Sequence, residues 1–124
     1  MKGNCYVELG WYERAIKTYR KAMKTSNEEH LNAIIGYCQA QLGQHNEAVQ
    51  SFRKEVRRSN DQKAKLGLAF EEYEVGNVEN SEEVIQQLRA SDKLSSQERD
   101  ILNTLEIKVA VTKKARDDYK KERH

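Results

Sequence analysis

The chain has no proline, two cysteines and one tryptophan in 124 residues, and its six glycines are spread along its length. No linker rich in proline, glycine or serine therefore marks a domain boundary, and the length suits one domain with one continuous core. Long apolar runs are missing as well. Nothing approaches the roughly 20 apolar residues that a membrane span needs, and the opening MKGNCYVELG lacks the apolar centre of a secretory signal. A soluble chain, without a classical signal in this form and with no membrane partner, is the expectation. Charge of one sign is also scarce. A formal net charge of +2 argues against affinity built on neutralising many phosphates. His30, His45 and His124 stand at no metal-ligand spacing from one another or from the cysteines. There is no phosphate loop, nucleophile motif or zinc-protease helix. No catalytic residue and no cofactor is expected.

What is present is charge and periodicity. Charged residues make up 34% and hydrophobic ones 37%, with a mean hydropathy of −0.96. That balance suits thin helical layers in which each helix buries only a stripe. Gly10, Gly43 and Gly76 recur at about 33 residues, the size of a two-helix repeat. Aligned on them, the chain falls into columns. Leu9, Leu42 and Val75 precede the glycines, and Gly3, Gly36 and Ala69 lie seven residues before them. Ala15, Ala48 and Ser81 follow five residues after, and Tyr19, Phe52 and Ile85 nine after. Met23 and Val56 agree thirteen after, where Arg89 of the third copy does not. Small residues let helices approach, large ones fill the space between layers, and each glycine lets the backbone reverse. Ala15, Ile16, Tyr19, Ala22 and Met23 are spaced as a helical face. Ser26 to Glu29 and Ser59 to Asp61 place capping side chains and acids at helix starts.

With these columns assembled, GNCYVELGWYERAIKTYRKAM resembles the later part of a tetratricopeptide repeat. Gly3, Tyr6, Gly10, Tyr12, Ala15, Tyr19 and Ala22 occupy that family's small, aromatic, turn and alanine positions. The copy HLNAIIGYCQAQLGQHNEAVQSF fits slightly less well, and KLGLAFEEYEVGNVENSEEVIQQL keeps its first helix better than its second. The resemblance implies an all-α solenoid of helical hairpins, about two and a half repeats, over residues 1–90. The repeats divide as about 1–28, 29–61 and 62–90. They run one residue short of the family length, and Asn27 and Asn60 replace the closing proline. The first repeat starts partway through its first helix, so the chain is expected to be a piece of a longer array with an uncovered N-terminal edge.

Residues 91–124 read as a C-terminal capping helix. Ser95 and Glu98 frame a capping box, and Leu102, Leu105 and Val109, flanked by Ile101 and Val111, form an apolar stripe able to cover the third repeat. Beyond Val111 there is almost no apolar face, and the end is expected to project into solvent or fray. Lys113, Lys114, Arg116, Lys120, Lys121 and Arg123 make the one basic run, interrupted by Asp117, Asp118 and Glu122. Its plain reading is a solvated helix end whose cations suit the dipole; a contact for nucleic acid or an acidic partner is a minor alternative.

The resemblance also implies a binding site. In such arrays the first helix of each repeat lines a concave groove. The lining would be Asn4, Val7 and Glu8, then His30, Ala33, Ile34, Tyr37 and Gln41, then Lys63, Leu66, Phe70, Tyr73 and Glu74. Several are apolar or aromatic, which suits a peptide or helix with hydrophobic anchors; the competing reading is that some are core. One subclass of the family grips a C-terminal carboxylate with lysines, asparagines and an arginine. Asn4 and Lys63 match it, but Ile34 and Gly67 stand where an asparagine and an arginine belong, so that grip is not expected. Trp11 is read as an exposed contact or as packing on sequence that precedes Met1. Cys5 and Cys38, at equivalent positions of successive helices about 8–10 Å apart, are expected to be buried small hydrophobes beyond disulfide reach. Reduced cysteines point to the cytoplasm or nucleus. Glu71 with Glu72, and Glu82 with Glu83, are expected on solvated faces.

The expectation is therefore a protein- or peptide-binding module of an intracellular scaffold or adaptor. An architectural segment that self-associates through its N-terminal edge is the alternative.

Overall fold

The computed structural model describes residues 10–26, 31–91 and 93–122, and the described residues are helical, with no strand. Among the described residues six helices run in chain order: α1 (Tyr12–Ser26), α2 (Leu31–Gln41), α3 (His45–Ser59), α4 (Gln62–Glu74), α5 (Val78–Arg89) and α6 (Ser96–Glu122).

The turns repeat because their chemistry repeats. Gly43 has φ +78° and Gly76 φ +89°, in the left-handed region that side chains rarely adopt. The Gln44 N–H donates to the Gln39 carbonyl at 2.9 Å, and the Asn77 N–H to the Glu72 carbonyl at 2.8 Å. This six-to-one closure satisfies the orphan carbonyls at the end of α2 and of α4 in the same way. The α3–α4 junction is built differently. Asn60, at φ 55°, closes α3 by donating to Val56, and the Asp61 carboxylate accepts from the Ala64 N–H at 3.3 Å to open α4. Asparagine thus does at the left-handed position what the family's proline does elsewhere, ending the helix.

Successive helices pack against each other. In addition α2 touches α4 and α4 touches α6, whereas α1 with α3 and α3 with α5 make no contact of that extent. The array therefore has a close inner layer of α2, α4 and α6 and a splayed outer layer of α1, α3 and α5. Helix α6 stands where the first helix of a further repeat would stand.

Three apolar clusters run through the stack. Ala15, Ile16, Tyr19, Leu31, Ile35 and Cys38 join α1 to α2. Ala48, Val49, Phe52, Ala64 and Leu68 join α3 to α4. Ala69, Val78, Ile85, Leu88, Leu94, Leu102, Leu105 and Val109 join α4, α5 and α6. Each fully buried aliphatic side chain contributes about 1.5–3 kcal/mol. The small-residue column has its physical use here. A Cβ added at Gly36 would meet the Phe52 ring at 3.2 Å, and one at Gly67 would meet it at 2.8 Å.

Two expectations need correction. Glu71 and Glu72 are not on a solvated face: they are 7% and 2% exposed. Glu72 accepts from Arg53 Nε at 3.0 Å and from Asn77 Nδ2 at 2.8 Å, and Glu71 Oε2 lies 2.5 Å from His45 Nδ1. Adjacent residues on a helix do point in different directions, but α3 lies over both of these. Nor does the chain leave the body directly after Val111, although residues 117–121, beyond Arg116, are exposed. Tyr73 OH bonds Thr112 Oγ1 at 2.9 Å, Lys113 Nζ meets Glu82 Oε2 at 3.0 Å, and Arg116 donates to the Gly76 carbonyl at 3.2 Å. Polar tethers hold this stretch where an apolar stripe is lacking. Leu102, Leu105 and Val109 form the buried stripe, and the flanking Ile101 and Val111 are exposed. The capping box is present, with Ser95 Oγ accepting from the Glu98 N–H at 3.1 Å and Glu98 Oε1 accepting from the Ser95 N–H at 3.4 Å.

Candidate functional site

The inner layer places the residues of the expected groove on α2 and α4. On α2, Leu31, Ile35, Gly36, Cys38 and Gln39 are buried. Ile34, Tyr37 and Gln41 belong to the remaining face: Tyr37 and Gln41 are exposed, and Ile34 is half-buried against the α1–α2 cluster. On α4, Ala64, Leu68, Ala69, Glu71 and Glu72 are buried. Lys63 is exposed, while Leu66, Phe70 and Tyr73 are half-buried against the cluster that contains Leu102, Leu105 and Val109. Asn4, Val7, Glu8 and His30 lie outside the described residues.

The two helices therefore present different surfaces. Tyr37 is 47% exposed, and its ring meets that of Tyr12 edge-on, centroids 6.2 Å apart with 76° between the planes. That geometry favours the aromatic pair and fixes the exposed ring. Burial, and then the neighbouring Tyr37, push the Tyr12 hydroxyl above its usual pKa. Tyr12 is the site residue that sequence reasoning missed. The family resemblance gives it only a position near the turn, and the packing of α1 on α2 shows that it braces Tyr37. On α4, by contrast, α6 leans on the aromatic residues and draws them toward the core.

Two of the carboxylate-gripping positions lack a donor, and packing closes one of them. Ile34 offers no donor, and the space beside Gly67 is taken by the Phe52 ring. An arginine at 67 could be seated only by displacing Phe52. Trp11 is 49% exposed, with the Arg14 guanidinium 4.9 Å from its ring centroid, within cation–π range. Cys38 is buried and free, and burial pushes its thiol above the usual range; Cys5 lies outside the described residues. Within the basic C-terminal run, Lys113 pairs with Glu82, and Arg116 lies 3.7 Å from Glu79, so two of its cations are engaged by the third helix pair. Among the described residues no helix is long and apolar enough to cross a membrane, and no cluster of histidine, cysteine and acidic residues is placed to hold a metal ion.

Helical hairpins stacked in two layers, with a close inner layer and a splayed outer one, define a helical-repeat solenoid. The model of the tetratricopeptide repeat matches residues 1–29 and 30–62, half of the chain. The chain belongs to the tetratricopeptide repeat family. The solved structures agree on the fold. The NMR structure of the second tetratricopeptide-repeat domain of human RPAP3, in complex with the HSP70 peptide SGPTIEEVD, superposes with a TM-score of 0.74. The alignment has 17% identity and covers 85% of this chain and 89% of that one. The first such domain of Spaghetti (RPAP3), bound to the HSP90 peptide SRMEEVD, gives a TM-score of 0.76 at 18% identity and covers 88% of each chain. Comparison with curated proteins gave no match.

Proposed function

We propose that this chain is a protein-interaction module whose inner layer binds a peptide or helix of a partner through apolar and aromatic anchors. Tyr37 carries the reading. It is a large ring left 47% exposed on an inner helix and held in one orientation by Tyr12. A rigid exposed aromatic loses little freedom on binding, which is why such residues dominate interface energies. Membership of a repeat family with peptide-bound members of the same fold supports the reading. The site on α2 and α4 comprises Ile34, Tyr37, Gln41, Lys63, Leu66, Phe70 and Tyr73, with Asn4 and Val7 as its expected continuation.

The anchoring differs from that suited to a terminal carboxylate. The peptides in the two RPAP3 structures end in acidic residues, whereas Ile34 and Gly67 supply no donors here, and Lys63 is a single cation among the matching positions of the second and third repeats. The partner is therefore engaged by side chains along its length. An adaptor or scaffold of the cell interior is the role that fits, and no catalytic residue is assigned.

The test is selection from a displayed peptide library, followed by titration of the enriched sequences. Tyr37→Glu is expected to weaken them at least about tenfold with helicity and unfolding midpoint preserved, and blocking their C-termini should leave affinity unchanged. Enriched peptides indifferent to both Tyr37→Glu and Lys63→Glu would overturn the reading, as would a dependence on a free C-terminal carboxylate.

A further inference from the structure

A second surface lies on the outer layer, where α1 and α3 splay apart. A cleft of about 750 Å³ opens between their C-terminal halves, within the range of ligand-sized pockets, about 300–1,000 Å³. Arg20 and Lys24 line it from α1, and Lys54, Arg57 and Arg58 line it from α3, with Met23 as an apolar contact. Among the described residues, no acidic side chain lines it, in a chain whose net charge is only +2.

Arg58 pairs with the buried Glu55, and Arg20 Nη2 donates to the Gln39 side-chain oxygen at 3.3 Å. Among the described residues, no carboxylate lies within ion-pair distance of Arg20, Lys24, Lys54 or Arg57. Helix dipoles account for part of this, since Lys24 and Arg57 stand in the last turns of α1 and α3. They do not account for Arg20 and Lys54, which sit further back. Nor do they explain why two helices turn their cations into one cleft, where like charges repel. Such an arrangement lowers its energy by taking up an anion.

We propose that this outer cleft binds an acidic stretch of polypeptide, rich in glutamate and aspartate, independently of the inner groove. The guanidinium forks of Arg20 and Arg57 match carboxylates in geometry, and Met23 offers contact to an aliphatic stem. A single-stranded nucleic acid is disfavoured because, among the described residues, no aromatic side chain lines the cleft for base stacking. The cations also form a closed patch between two helices rather than a stripe following a backbone.

The probe is a fluorescein-labelled hexaglutamate with both ends blocked, followed by anisotropy against the full chain, with hexaglutamine as control. Saturable binding to hexaglutamate alone is expected, weakening at least about tenfold between about 50 and 300 mM salt. Two variants address opposite walls: Lys24→Glu on α1, and Lys54→Glu with Arg57→Glu on α3. Each is expected to weaken binding about tenfold or more with helicity unchanged, whereas Tyr37→Glu and Lys114→Gln leave it intact. Absence of saturable binding overturns the proposal, and so does binding that survives both wall variants or that is lost with Lys114→Gln. Tighter binding of hexauridylate than of hexaglutamate, lost in the same wall variants, overturns it in favour of nucleic acid.

Discussion

The seam between α3 and α4 and the seam between α5 and α6 do the same task with different materials. At the first, Phe52 fills the space left by Gly36 and Gly67, and two carboxylates are buried, Glu72 against Arg53 and Glu71 against His45. At the second, Leu102, Leu105 and Val109 supply an apolar stripe and the charges stay at the rim. Arg89 and Glu106 are 40% and 52% exposed, and Lys113 and Glu82 about as much. The difference follows from position in the stack. An interior seam is covered by helices on both sides, so a charge there loses water and must find a fixed partner. A terminal seam faces solvent, where ion pairs are screened and weak. Repeat columns therefore predict apolar packing at both seams but not which charges become structural.

The largest expected break comes from the interior seam. Phe52→Ala should cost about 3–5 kcal/mol, because its ring is clasped by two glycines that cannot fill the void. Urea midpoints would show it, with α2 and α4 losing hydrogen-exchange protection together. The ion pairs sharpen the contrast. Arg53→Ala strands a carboxylate that is 2% exposed and should cost about 2–3 kcal/mol, whereas Arg89→Ala should cost no more than about 0.5 kcal/mol. Equal losses would dissolve the distinction between the two seams. The turns, by contrast, should not distinguish them. Gly43→Ala and Gly76→Ala meet no neighbour within 4 Å, so each should cost only the left-handed strain, about 1–2 kcal/mol.

Ser95→Ala should cost about 1 kcal/mol by removing the cap of α6. Its signature is local, with faster exchange in α6 and none in α2. The smallest effect is a pH slope. Burial raises the Cys38 thiol, so above the ordinary thiol value of about 8.5 the unfolded chain releases a proton that the folded chain keeps. Stability should be full below that value and fall as pH rises through the folded-state pKa. Cys38→Ala should flatten the fall, and native Cys38 should react slowly with alkylating reagents.

Much of the architecture was legible because it rests on local chemistry. The glycine interval, the small and large columns, and the Ser95–Glu98 box each need only a few neighbouring residues to be read. The exposed face of α2 was legible through the same register, by family resemblance. Other features required distant segments to meet. Arg53 and Glu72 are nineteen residues apart, and nothing in an acidic pair on α4 announces that α3 will cover it. Tyr73 and Thr112 meet across thirty-nine residues, which is why the stretch just after Val111 reads as loose and is tethered instead as far as Arg116. The bracing of Tyr37 by Tyr12 and the blocking of position 67 by Phe52 likewise appear only when helices are laid side by side.

The amino-acid sequence by itself determined the helical periodicity, the reversal points and the family, since backbone conformation and stripe burial follow from residues within a turn or two of each other. Tertiary structure decided which charges are buried, how far α6 is held, and that cations from α1 and α3 converge on one cleft. The physical reason is that desolvation and electrostatic coupling depend on distance in space, and stacking sets those distances between segments that the sequence keeps apart.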